Sequence, residues 1–392
     1  MSSTTEVKHA LRKTEFPICA KEALIKIEQF LIGRSSSIKH MDLAMDLMAE
    51  FVFAEIDRRG NRKTTALSSL QELQLLQVLC EYFESAGTEA VKNTVFLSLF
   101  GGSSLALRIK ILCKLVSMSV CVPAPAVLHA AGIWMQQLGN TSAHSLQLAK
   151  SLVNDYFVFT PSAVSRLRTL PDSAPQFTAN FLTAVAEIYL TDKRTTFTPP
   201  PACLLETITQ WVSDNYKLCT AAQNIQSSLP SGAIQMAAIT PLAGLLKWCI
   251  LAPVHYVTSQ YDSSSSLVSK TVKAQRNEDC QKHYAQLHLA LLESLLETGP
   301  RTGPATAVCA QHLVTVIQPL QNQIAELLRL GKSISTEPAL QISLDRLAQA
   351  IQVALATHCI YGNTQDLLNQ LDQLPDNRLL KIVINTHKQI VI

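Results

Sequence analysis

The chain has little glycine, few aromatic residues and little charge, and each shortage argues against a class of protein. Glycine supplies only 13 of 392 residues, about half the average usage of roughly 7%. That thins out the tight turns sheets need and the glycine-rich loops that cradle phosphates. Charged residues make up 16% of the chain and hydrophobic residues 47%, against a usual charged fraction of about 25%. Such a balance excludes a disordered chain and predicts that part of the surface faces partners. The net charge of +3 gives no strong field of either sign, so neither nucleic acid nor an anionic membrane is implied as a general partner. Aromatics, at 6%, do not interleave with the basic residues, so a base-stacking platform is not indicated.

The ten cysteines include no CxxC pair. The amino terminus carries Glu6, Lys8, Arg12, Lys13 and Glu15 before any long apolar run, unlike a secretory signal. The expectation is an intracellular chain whose thiols stay reduced. GxGxxG, GxSxG and HExxH are all missing. Gly331-Lys332-Ser333 ends like a phosphate-binding loop, but Glu326 stands where its first glycine belongs and a helical pattern precedes it. The chain therefore reads as a non-enzyme without a cofactor.

What is present is apolar residues recurring at three and four positions, the period of an amphipathic helix. Over Ser68–Phe83, Leu70, Leu73, Leu76, Leu79 or Cys80, and Phe83 are expected on the buried face. Gln71, Glu72, Gln74, Gln77 and Glu81 fill the other face, with Ser69 and Glu72 as a capping box. A second helix begins near Pro338, with Leu344, Leu347, Ile351, Ala354 and Leu355 as its stripe and Gly362 as its stop. A third covers Tyr284–Thr298 and ends at Gly299-Pro300. The uncharged run Leu115–Met135 is long enough to suggest a membrane span, but Pro123 and Pro125 divide it into two buried helices.

Breaks near Gly33, Gly60, Gly87, Gly101, Pro123, Gly139, Pro161, Pro171, Pro199, Pro230 and Pro253 give about fifteen helices. None can bury its apolar face alone. The predicted fold is all-α, a helical-repeat solenoid of HEAT or armadillo type built from antiparallel helices, although no fixed sequence period accompanies it. Two segments read as linkers: 191–201, with its triple proline, and the serine-rich 259–279. The second divides the chain into an N-terminal helical-repeat region, 1–258, and a C-terminal helical region, 280–392. The β-branched clusters at 382–384 and 390–392 leave room for a short strand.

Two clusters carry chemistry. Cys280-x-x-His283 and Cys309-x-x-His312 each place two zinc-type ligands on one helix face, but the 25 residues between the pairs are untypical and His288 competes. Core cysteines with partly exposed histidines are the preferred reading. Arg58, Arg59, Arg62 and Lys63 flank Gly60 and Asn61 and are expected to project from a loop able to contact a partner. Trp134, Trp211 and Trp248 lie in apolar helical runs and are expected in the core.

Three stretches carry a resemblance to a known family: SLQELQLLQVLCEYF at Ser69–Phe83, TPLAGLLKWCILAP at Thr240–Pro253 and ISLDRLAQAIQVALA at Ile342–Ala356. EFVFAE at Glu50–Glu55 and LAKSLVNDY at Leu148–Tyr156 add to it. The chain resembles the subunit 15 family of the Integrator complex from about Lys21 to Ile384. The resemblance implies a nuclear, non-catalytic helical scaffold subunit. It would bind the module of Integrator subunits 10, 13 and 14, subunit 10 first, and support small nuclear RNA 3'-end processing and RNA polymerase II transcription regulation. It assigns no catalytic residue. The alternative is an RNA-contacting subunit that uses the basic loop Arg58–Lys63.

Overall fold

A computed structural model of the chain describes residues 2–33, 38–63, 67–101, 106–159, 161–190, 197–220, 240–261, 267–298 and 308–389. These residues form seventeen α-helices and one two-residue pair of parallel strands, Val308–Cys309 with Ile360–Tyr361. The protein is all-α. Residues 382–384, where the sequence left room for a strand, lie in a helix, and 390–392 fall outside the described residues.

The described chain divides into two compact units, one holding 2–155 and 162–177, the other 156–161, 178–220 and 240–389. The first contains α1 (Ser2–Leu11), α2 (Ile18–Ile32), α3 (Ile38–Leu47), α4 (Ser69–Glu84), α5 (Glu89–Phe100), α6 (Ala106–Cys121), α7 (Pro125–Leu138), α8 (Ala143–Val153) and the single turn α9 (Leu170–Ser173). Its helices stack by alternation. α2, α4, α6 and α8 follow one another in one row, α5 lies beside α7 in a second, and α4 packs on α7 across the rows.

The second unit takes α10 (Pro175–Ile188) from residue 178, then α11 (Ala202–Asp214), α12 (Leu242–Tyr261), α13 (Leu267–Thr298), α14 (Ala310–Arg329), α15 (Pro338–Ala356), α16 (Thr364–Leu371) and α17 (Arg378–Gln389). Here α11, α13, α15 and α17 form one row and α12, α14 and α16 the other. Within each unit this layering is consistent with a helical solenoid. The segment read as a linker, 259–279, closes α12 and opens α13; only 262–266 of it lie outside the described residues. Part of the proline-rich segment 191–201 is described, and residues 197–201 are non-helical.

α6 and α7 confirm the reading of Leu115–Met135 as two helices, with Pro125 in the first turn of α7. No helix among the described residues is long and apolar enough to cross a membrane. All three tryptophans are buried, as expected. Trp134 Nε1 donates to the Phe100 carbonyl at 3.0 Å, and Trp248 Nε1 to the Ala186 carbonyl at 3.0 Å. Both acceptors lie in the last turn of a helix, where carbonyls lack an intrahelical partner.

α4 corrects the sequence reading. Leu70 and Leu73 are 65% and 58% exposed, whereas Glu72 is only 5% exposed. The carboxylate turns inward because two lysines of α6 reach it: Lys110 Nζ donates to Oε1 at 2.7 Å and Lys114 Nζ to Oε2. Those bonds hold the Glu72 carboxyl below its ordinary range. The cap is one residue earlier than expected. Gln71 N donates to Ser68 Oγ at 3.3 Å, and Ser68 N to Gln71 Oε1 at 3.0 Å. In α15, Leu344, Leu347, Ile351 and Ala354 are buried as predicted. The helix nevertheless stops at Ala356, before Gly362, and His358 takes a left-handed φ of 53°.

Pro253 does not end its helix; α12 runs through it. A proline inside a helix leaves the carbonyl four residues earlier without its donor, and that carbonyl is Cys249. Arg346 Nη1 from α15 donates to it at 2.7 Å, and Gln323 Nε2 from α14 donates to the Leu251 carbonyl at 3.1 Å. Arg346 of the neighbouring α15 thus supplies the bond that the proline removes.

On α13, His288 is 3% exposed. Its Nε2 lies 3.0 Å from Gln349 Oε1, and its Nδ1 has no partner. Burial, helped by the Arg346 charge, lowers its pKa to about 4. The unfolded chain takes up a proton below the ordinary value of about 6.5 while the folded chain stays neutral, so stability declines as pH falls through that window. The expected loss is about 2 kcal/mol between about pH 7 and pH 5. Urea titrations of wild type and His288→Gln will check this: the variant should lose most of that slope, and equal slopes would contradict the assignment.

Candidate functional site

The basic cluster sits on a structured hairpin, not on an irregular loop. α3 leads into a π-helical turn, Met48–Val52. Ala54 then adopts a φ of 52°, a left-handed conformation that costs a residue with a Cβ roughly 1 kcal/mol or more. Ile56 and Arg62 pair as an antiparallel bridge, with Lys63 N donating to the Glu55 carbonyl at 2.9 Å and Asp57 N to the Asn61 carbonyl at 2.8 Å. At the tip, Gly60 has a φ of 84°, which glycine adopts without strain.

Asp57 organises the turn. Its Oδ1 accepts from Arg59 N at 2.8 Å and Asn61 N at 2.9 Å, and its Oδ2 from Asn61 Nδ2 at 3.3 Å. These bonds, the Asn61 backbone donor foremost, hold the Asp57 carboxyl below the usual range.

Two ion pairs hold the base of the hairpin. Arg108 of α6 meets Glu55 bidentately, Nε to Oε1 at 2.8 Å and Nη2 to Oε2 at 2.7 Å, with side chains only 9% and 6% exposed. The same guanidinium lies 4.7 Å from the centre of the Phe53 ring, a cation–π distance. Arg12, in the turn after α1, bonds Glu50 at 2.7 and 3.0 Å and also donates to the Arg58 carbonyl at 3.0 Å. Glu50, Glu55 and Asp57, the acids of this segment, are thereby all engaged.

Arg58, Arg59, Arg62 and Lys63 are exposed, and none forms an ion pair among the described residues. Sequence reasoning found these four because they fall within six residues of one another. It missed Arg12, Glu50, Glu55 and Arg108, whose partners lie 38 to 53 residues away; no local pattern signals such pairs.

The cysteine–histidine constellation is not assembled. Among the described residues no group of three or more histidine, cysteine or acidic side chains is placed to share a metal ion. Cys280 is buried beside Tyr284, and Cys309 packs near Gly362. His312 feels burial first and then the charge of Lys247, both lowering its pKa, and a lysine there repels any cation. The first unit also exposes apolar side chains. Ile38, Met41 and Met45 line the outer face of α3, and a groove of about 450 Å³ between α1 and α2 is lined by Val7, Ala10, Leu11 and Ile25.

A sequence model of the Integrator complex subunit 15 family matches residues 5–376. Among curated proteins, Integrator complex subunit 15 of Drosophila melanogaster is 37% identical over 390 residues, covering 97% of this chain and 96% of the relative. The human protein of that name is 30% identical, covering 97% of this chain and 87% of its own length. That of Danio rerio is also 30% identical, with 97% and 81% covered. The match extends over both helical units, and the chain belongs to the Integrator complex subunit 15 family.

Proposed function

We propose that this protein is a non-catalytic scaffold subunit of a nuclear Integrator complex. It binds the module of subunits 10, 13 and 14, with subunit 10 as its direct contact. In this reading it supports small nuclear RNA 3'-end processing and RNA polymerase II transcription regulation by holding that module in place. The observation that carries the reading is a family likeness over residues 5–376 of a chain whose described residues lie mostly in stacked helices. The exposed apolar face of α3, the groove beside α1 and the basic hairpin supply surfaces for other proteins. Exposed apolar side chains grouped on one helix face are a common mark of a docking surface.

Affinity purification of the tagged chain from nuclear extract at moderate salt, followed by mass spectrometry, tests the proposal. Stoichiometric recovery of Integrator subunits, with subunits 10, 13 and 14 most abundant, is expected. Recovery of an unrelated set would overturn it.

A further inference from the structure

The hairpin is held far more firmly than a solvated surface loop requires. A left-handed Ala54, a buried Arg108–Glu55 pair and the Arg12 bridge to Glu50 and the Arg58 carbonyl all fix a six-residue tip. Strain and buried charge pairs that hold an exposed segment point to a job for that segment. The tip carries four cations and no acid, and the adjoining Asp57 spends its oxygens on the turn's own donors. Its fixed backbone lowers the ordering cost of binding.

We propose that the tip formed by Arg58, Arg59, Arg62 and Lys63 docks a carboxylate-rich segment of a partner protein, the three guanidiniums forking onto Asp or Glu side chains. Arg presents a planar pair of donors that matches a carboxylate. The proposal rests on the reading of the chain as a protein-binding subunit.

Two observations favour an acidic protein over nucleic acid. The chain's 33 basic and 30 acidic residues nearly balance, so its net charge gives no broad positive field for a phosphate backbone. Residues 58–63 include no aromatic, and the nearest one in sequence, Phe53, is buried under Arg108; nothing is offered for a base to stack on.

The test is zero-length carbodiimide cross-linking of the assembly purified through the tagged full-length chain, with ultraviolet cross-linking to RNA on a parallel sample. Carbodiimide joins an amine to a carboxylate only when the two touch. Linkage of Lys63 to an Asp or Glu of another protein is expected. In parallel, R58Q/R59Q/R62Q/K63Q should recover that protein about tenfold less while keeping the wild-type melting curve. R58K/R59K/R62K, which keeps the charge, should recover more of it than the glutamine variant does. RNA cross-linked at the tip without a Lys63–carboxylate link would overturn the proposal, as would undiminished recovery by the glutamine variant. Which proteins are recovered tests the proposed function and the Lys63 linkage tests the hairpin, so each can fail alone.

Discussion

Replacing Arg108 with Met is expected to destabilise the protein by about 3 to 5 kcal/mol, because the Glu55 carboxylate is left buried without its partner. The pair is nearly covered, and among the described residues the Glu55 side chain accepts only the two Arg108 bonds. The guanidinium also loses its place over Phe53. Removing both charges should cost much less, since a neutral pair leaves no stranded ion. Chemical unfolding of Arg108→Met, Glu55→Gln and the double variant forms a cycle that isolates the pair. If Arg108→Met lost under about 1 kcal/mol, the Glu55 site would be as wet as an ordinary surface pair. The Glu55 carbonyl also accepts from Lys63 N, so amide exchange at Lys63 should quicken in the single variant and recover in the double one.

Trp248 is the second large case. It is fully buried in α12, its ring meets Tyr189 edge-on at 5.6 Å between centroids, and its Nε1 bonds the Ala186 carbonyl. Trp248→Ala should cost about 3 to 5 kcal/mol through the cavity and lost contacts. Trp248→Phe fills much of that space but leaves the Ala186 carbonyl, at the end of α10, without its donor, and should cost about 1 to 3 kcal/mol. The helices cannot close over the gap easily. Gly244 already lets α12 approach so near that a Cβ there would sit 2.6 Å from Ala186 Cβ. Equal stability of the Phe variant and wild type would show that water replaces the indole bond.

The all-α class was legible because helical period, scarce glycine and proline spacing agree along the whole chain. Individual faces were less so. On α4 the sequence places Leu70 and Leu73 inside and Glu72 outside; the structure reverses them because Lys110 and Lys114, which no local pattern links to Glu72, stand opposite. Pro253 reads as a break, and only a tertiary contact, Arg346 to the Cys249 carbonyl, explains why α12 continues. The same limit applies to the site. Four cations within six residues announce themselves, but the ion pairs that fix their loop join residues distant in sequence. The cysteine–histidine pairs show the converse: correct local spacing does not bring two helix faces together.

Reconstitution asks whether this chain acts by being held against other Integrator subunits. The full-length chain would be co-expressed with subunits 10, 13 and 14 from the same source and passed over a sizing column at moderate salt. One complex containing the chain in fixed ratio is expected, which persists when subunits 13 and 14 are left out and is lost without subunit 10. Elution of the chain apart from all three would contradict it.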